Sequence, residues 1–223
     1  MLSKQQPKLQ LYYFDIKGKG EPLRLLMNHA GLVFEDIRIS KETFLQKKES
    51  GEFPFGQVPC LIVDEKHVLV QTNSIARFIG KLSGLYPSDP VEASMVDAVM
   101  DQEADITMGL TCTRYAERNG FAAIGSAEDP VYAAIKKSLN DEVLPRHLGN
   151  LEKILKKSPS GWIGGTPEAS IADFVMAPRL EWIPSNFGID PDILAKFPAV
   201  SAFIDKFNDL DSVKKYYSEK IIN

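Results

Sequence analysis

The sequence predicts a β-α domain followed by an all-helical one, and three observations carry this. Up to Gly84, short apolar alternations take turns with apolar stripes at three- and four-residue spacing. Tyr86-Pro-Ser-Asp-Pro90 then breaks the pattern with two prolines, as a linker does. Beyond it, apolar residues recur at helical spacing through most of the remaining chain.

In the first part, Leu9, Leu11 and Tyr13 alternate with Gln10, Tyr12 and Phe14, which describes a half-buried strand. Leu23, Leu26, Met27 and Ala30 follow at i, i+3, i+4 and i+7. Pro22 suits the first turn of that helix and Gly31 its stop. Val33 to Ile39 reads as a second strand and Thr43 to Ser50 as a short polar helix or loop. Cys60-Leu-Ile-Val63 and His67-Val-Leu-Val70 are strands joined by the hairpin-length Asp64-Glu65-Lys66. Ile75, Phe78, Ile79 and Leu82 make a further helical stripe that ends near Gly84.

After the linker, Met95, Val99, Ile106 and Leu110 track one face of a long helix expected to reach Glu117. Val131 to Lys157 reads as another, with Ile135, Leu139, Val143, Leu144, Leu148, Leu151 and Leu155 inward and a bend at Pro145. Ile171 to Trp182 and Val200 to Phe207 complete the expected helices. Gly161 to Pro167 is a turn-rich loop leading to Ser170-Ile-Ala-Asp173, whose serine and aspartate suit a capping box. The expected division is residues 1–86, a linker at 87–90, and residues 91–223.

Length and composition bound the function. A chain of 223 residues can bury a sizeable core, and 44% hydrophobic with 25% charged residues is ordinary for a globular protein. A formal charge of −4 argues against nucleic acid or an anionic membrane as the main partner. No apolar run approaches the ~20 residues of a membrane span, and Met1 to Gln10 lacks an apolar signal core. Cys60 and Cys112 stand too far apart in sequence for a Cys-x-x-Cys pair. A reducing cytoplasm is the expected home. His29, His67 and His147 show no metal-ligand spacing, and His29 suits a structural role in its helix.

Tyr13 is the leading candidate for chemistry. A phenol with a reference pKa near ~10 stays protonated at neutral pH and can donate to an anion. A free thiol has a pKa near ~8.5, and a donated hydrogen bond favours its thiolate. An isolated strand tyrosine is most often a packing residue. The Gly18-Lys-Gly20 turn just ahead of a helix is what singles this one out. Tyr12, on the opposite sheet face, is its control. The glycine turn alone is a weak signal, since it also serves as a plain connection. Gln57-Val58-Pro59 is better, because a proline entering a strand leaves Val58 with backbone groups able to pair with a bound peptide. Gln71-Thr72 opens a helix where Thr72 can cap and free N–H groups suit a carboxylate. Both cysteines read as packing residues.

With Tyr-Phe-x-x-x-Gly-x-Gly-Glu-x-x-Arg (Tyr13 to Arg24), Gln57-Val-Pro, Gln71-Thr and Ser170-Ile-Ala-Asp, the chain resembles cytosolic glutathione transferases of the tyrosine type. Within the sigma, pi and mu group it is most sigma-like. The resemblance implies a thioredoxin-like domain followed by an all-helical domain, a homodimer, and detoxification by alkyl or aryl transfer with glutathione as co-substrate and no metal. Tyr13 would stabilise the glutathione thiolate. Val58, ahead of a cis Pro59, would pair with the cysteinyl backbone, and Gln57 would line the same groove. Gln71 and Thr72 would hold the γ-glutamyl end, with Asp105 of the partner subunit near its amine. Lys48 and Phe44 would face the glycine carboxylate, and Lys19 would also belong to the glutathione-binding set. Phe14, Ile16 and Tyr115 would form the electrophile pocket.

Three positions depart from the family pattern. Phe44 replaces the usual tryptophan and loses an indole N–H. Lys19 stands where arginine is frequent, keeping charge without the planar fork. Thr72 replaces serine. Two rivals share the implied fold: a ligand-carrying or crystallin-like relative, and a glutathione-dependent isomerase or peroxidase of the prostaglandin type. A thiol-disulfide oxidoreductase would want a cysteine where Tyr12-Tyr13 stand.

Overall fold

The structure, a computed structural model, describes residues 6–121 and 129–221. It divides into two compact units: residues up to Pro87 together with those from Asp209 onward, and Ser88–Asn208. Among the described residues no helix is long and apolar enough to cross a membrane.

In the first unit, β1 (Leu9–Phe14), α1 (Glu21–His29), β2 (Glu35–Ile39), α2 (Lys41–Glu49), β3 (Cys60–Val63), β4 (His67–Val70) and α3 (Thr72–Ser83) follow in order. The sheet runs β2-β1-β3-β4, with β1 parallel to β2 and antiparallel to β3, and β3 antiparallel to β4. The alternation read from β1 holds: Leu9, Leu11 and Tyr13 are buried and their neighbours half-buried. Tyr12 joins Phe14, Ile37, Phe44 and Val58 around buried Ile39, Phe53 and Cys60. Tyr12 and Tyr13 therefore serve opposite faces of the sheet.

Strand β2 begins at Glu35 rather than Val33. The Gln6 side chain accepts from the Val33 N–H at 3.1 Å and donates to its carbonyl at 2.6 Å, which occupies that backbone outside the ladder. The polar stretch at 43–50 is helical, with Ser40 capping α2 by accepting from Thr43 N–H.

A last helix, α9 (Asp211–Ile221), belongs to this unit and lies outside the expected set. It offers few apolar residues to a periodic reading. Val213 is buried, and polar contacts supply much of the rest of the docking. His29 Nδ1 lies 2.8 Å from Ser212 Oγ, Tyr216 donates to Glu21, and Lys17 Nζ sits 4.6 Å from the centre of the Tyr217 ring. Burial lowers the His29 pKa below 6.5, as suits the structural role expected of it.

The second unit is helical. Asp89 caps α4 (Pro90–Arg114) by accepting from Val91 and Glu92 N–H. This helix stops short of Glu117 because Tyr115 leaves the helical region, at φ −123° and ψ 46°. The expected helix Val131 to Lys157 is realised as α5 (Pro130–Ser138), a π turn (Leu139–Val143) and α6 (Leu144–Lys157). Pro145 cannot donate to a preceding carbonyl, and the widened turn just before it absorbs that missing bond.

The almost wholly buried α7 (Ile171–Trp182) starts on the expected capping box. Asp173 accepts from Ser170 N–H and Oγ at 2.8 and 2.9 Å, and from Ile163 N–H at 2.8 Å. One carboxylate thus caps the helix and ties down the preceding glycine-rich loop. The helix α8 (Pro198–Asn208) packs on α6 and α7.

Candidate active site

Tyr13 stands near the end of β1, 7% exposed, with the β1–α1 turn folded over its ring. A Cβ at Gly18 would fall 2.5 Å from Tyr13 Oη, and one at Gly20 2.5 Å from Tyr13 Cδ1. Gly18 also holds φ +42°, which side chains resist. The Gly-x-Gly spacing thus has a steric cause: both glycines lie against the tyrosine, with the backbone of Lys19 between them. Lys19 N–H donates to Tyr13 Oη at 2.9 Å. That bond occupies an oxygen lone pair of the phenol, which is a donor as well as an acceptor.

This makes Gly20 a sensitive position. Its own φ of −84° suits any residue, so contact alone decides the outcome. Gly20→Ala is expected to displace the Tyr13 ring, to cost about 1–3 kcal/mol of stability as overpacking does, and to lower turnover at least ~10-fold. Urea unfolding beside steady-state kinetics checks both. Wild-type values in each would refute the contact.

Arg24 fixes the same turn from below. Its guanidinium is fully buried and donates to Phe14 O at 3.1 Å and Ile16 O at 2.8 Å. It pairs with Glu21 at 3.2 Å and Asp36 at 2.9 Å, and its Cζ lies 5.6 Å from the centre of the Tyr13 ring. Asp36 continues to Arg38, which also reaches Asp15. Sequence patterning marked Arg24 as part of a motif without showing what it holds. An arginine among Leu23, Leu25, Leu26 and Met27 in a buried helix was the available signal.

The other predicted residues of this unit surround the turn. Thr72 does not cap α3. Gln71 occupies the N-cap position at φ +70° and ψ 122°, with no side-chain cap bond, and Thr72 is the first helical residue. The Thr72 hydroxyl instead donates to Lys19 O at 3.3 Å, linking the helix start to the glycine turn. A non-glycine residue at positive φ is costly, by about 1–3 kcal/mol, and Gln71 carries that cost where two candidate segments meet. Lys19 and Gln71 are exposed.

Val58-Pro59 is cis. The β1–β3 ladder ends at Tyr12–Cys60, so Val58 lies beyond it, with Gln57 exposed alongside. Cys60 donates its thiol to Gln57 O at 3.4 Å, and burial pushes its pKa to about 11, which suits packing and not thiol-disulfide exchange. The Lys48 stem runs beside Gly56, whose Cβ would meet Lys48 Cε at 3.1 Å. Phe44 rests its ring 5.2 Å from Phe14 and 6.1 Å from Phe53, offering an apolar face and no polar hydrogen. Ile16 is 56% exposed. Tyr13, Phe14, Lys19, Phe44 and Thr72 are thus linked by direct contacts, and Val58 packs on the same buried cluster as Phe14 and Phe44.

Two predicted residues lie in the helical unit. Asp105 is exposed on α4 and lines a groove of about 500 Å³ with Met108, Arg146 and His147. Tyr115 is 44% exposed, with Arg114 at 6.0 Å from its ring centre.

Comparison with known proteins identifies the family of the chain. Residues 9–81 match the family model "Glutathione S-transferase, N-terminal domain" and residues 118–220 match "Glutathione S-transferase, C-terminal domain". The chain is 33% identical over 214 residues to Glutathione S-transferase 1 of Ascaris suum, covering 96% of this chain and 97% of that one. Among solved structures, the glutathione S-transferase from Ascaris lumbricoides superposes with a TM-score of 0.77 at 33% identity, covering 96% and 97% of the two chains. The prostaglandin synthase D of Nilaparvata lugens superposes with a TM-score of 0.79 at 27% identity, covering 95% and 98%.

Proposed function

We propose that this chain, which belongs to the glutathione S-transferase family, activates the glutathione thiol with the Tyr13 hydroxyl for attack on hydrophobic electrophiles. The observation that carries the reading is the Tyr13 Oη held by Lys19 N–H beneath the glycine turn. A hydroxyl already accepting one backbone bond is a better donor to a thiolate, because each bond polarises the next.

Glutathione would lie along Val58 and Gln57, its cysteinyl backbone pairing with Val58 as an added strand does. Gln71 and Thr72 would meet the γ-glutamyl end, where the α3 amides favour a carboxylate, with Asp105 of the partner subunit near the amine. Lys48 and Phe44 would face the glycine carboxylate, and Lys19 would also contact glutathione. Tyr13 donates to the sulfur and lowers the thiol pKa, and the thiol proton passes to solvent. With a chloronitrobenzene the thiolate attacks the ring carbon bearing chlorine. The carbon–sulfur bond forms and chloride departs with its electron pair. Phe14, Ile16 and Tyr115 would flank the electrophile. In this reading residues 1–86 bind glutathione, residues 91–223 carry much of the electrophile pocket, and the enzyme is a sigma-like cytoplasmic homodimer.

The test is glutathione conjugation to a chloronitrobenzene by the wild type and Tyr13→Phe. Activity that collapses in the variant supports the reading. Equal activity in both would sink it. The second reading, glutathione-dependent isomerisation of a prostaglandin-type substrate, draws on the likeness to the Nilaparvata lugens prostaglandin synthase. Feeble conjugation with intact glutathione binding would favour it.

Phe44 tests the carboxylate end. Phe44→Trp supplies an indole N–H, and one net hydrogen bond is worth about 0.5–1.5 kcal/mol. Glutathione is expected to bind roughly 2- to 10-fold more tightly by calorimetry. An unchanged dissociation constant would remove Phe44 from the contact set.

A further inference from the structure

We propose that Tyr216, on the C-terminal helix, is a positioning residue for Tyr13 and acts through Glu21 and Arg24. This rests on the reading of Tyr13 as the thiol activator. The path consists of adjacent contacts within one unit of the structure. Tyr216 Oη donates to Glu21 Oε2 at 3.3 Å, and the same oxygen accepts from Arg24 Nη1 at 3.2 Å. Arg24 Nη1 also donates to Ile16 O at 2.8 Å and Nη2 to Phe14 O at 3.1 Å. Those two carbonyls begin the turn whose Gly18, Lys19 and Gly20 enclose the Tyr13 ring and supply the N–H to its hydroxyl.

The two sides of this network differ in what they can tolerate. Glu21 and Arg24 are buried at 1% and 0% exposure, so neither can exchange a lost partner for bulk water. Asp36, the second acid on Arg24, is partly exposed and already shared with Arg38. The half-buried Tyr216 therefore partners the buried end of the network. The charged groups bearing on its hydroxyl are Glu21, Arg24, Asp36 and Arg38. Burial, and then the Glu21 charge, push its pKa well above the ordinary tyrosine value, so it stays a donor across the working pH range. A second contact, Lys17 over the Tyr217 ring at 4.6 Å, joins α9 to the same turn. The helix that sequence periodicity passed over thus braces the segment carrying the reactive hydroxyl.

The experiment compares wild type, Tyr216→Phe, Glu21→Gln and the double variant, with Tyr13→Phe alongside. It reads the pH profile of kcat/KM for conjugation, glutathione affinity and melting temperature. Tyr216→Phe keeps the ring and removes one hydroxyl. It is expected to lower kcat/KM about 3- to 10-fold and to move the acid limb upward by roughly half a unit or more, with glutathione affinity within ~2-fold of wild type. In the Glu21→Gln background the same change is expected to add almost nothing, because both act on one chain of contacts. A lower melting temperature with an unmoved pH profile overturns the proposal and leaves Tyr216 merely structural. Additive effects of the two substitutions overturn the path through Glu21. If Tyr13→Phe itself leaves the profile unmoved, the parent reading fails and this one with it. A shift in Tyr13→Phe without one in Tyr216→Phe removes this inference alone. Should Tyr216→Phe not fold, Glu21→Gln still decides, since it must shift the profile in the same direction.

Discussion

Tyr13→Phe is expected to leave glutathione bound and to raise the thiol pKa in the complex. The substitution removes one oxygen from a nearly buried ring and keeps the ring contacts with Gly18 and Gly20. A hydrogen bond to a charged group is worth about 1.5–3 kcal/mol, which corresponds to roughly one to two pKa units on the thiol. At neutral pH that is ~10- to 100-fold in kcat/KM, with glutathione affinity nearly unchanged because Val58, Gln71 and Lys48 are untouched. Titrating the ultraviolet absorbance of the bound thiolate measures the shift directly. An unshifted thiol would remove Tyr13 from the assigned role, whatever happened to turnover. Lys19 N–H loses its acceptor in the variant, so a small drop in stability is expected as well.

The largest expected loss of stability belongs to Arg24→Met. Methionine roughly fills the space of the stem but brings no charge and no donors. Glu21, at 1% exposure, loses its ion pair, and the carbonyls of Phe14 and Ile16 lose their guanidinium partners. Breaking one side of a buried pair costs about 3–5 kcal/mol, a large part of the ~5–15 kcal/mol that holds a typical protein folded. Asp36 softens the loss on its side, since it is partly exposed and keeps Arg38. Urea unfolding is the measurement, and a change below ~1 kcal/mol would show the network to be dispensable. Activity in the surviving folded fraction should also fall, because the freed carbonyls belong to the turn over Tyr13.

Much of the architecture was legible because it is local. The alternation of Leu9, Leu11 and Tyr13 and the stripes of α1 and α3 follow from which face each residue must bury. The capping box at Ser170 and Asp173 needs neighbours three residues apart, so it was readable as written. Boundaries were less so. Val33 drops out of β2 because of Gln6, far behind it in the chain. The π turn before Pro145 replaces a plain bend because the chain can widen one turn to absorb the missing donor. The α9 helix docks partly through polar contacts with His29, Glu21 and Lys17, which apolar spacing does not announce.

The candidate site divides in the same way. By itself the sequence determined the strand that carries Tyr13, the glycine turn after it and the Val58-Pro59 entry to β3, since each depends on residues a few positions apart. Tertiary structure alone decided what those pieces do to one another. It laid both glycines on the Tyr13 ring, turned the Thr72 hydroxyl from capping to the Lys19 carbonyl, and gathered Glu21, Asp36 and Tyr216 around Arg24. The reason is physical: a buried polar group takes whichever partner packing brings within hydrogen-bond reach, and packing joins residues that the chain holds far apart.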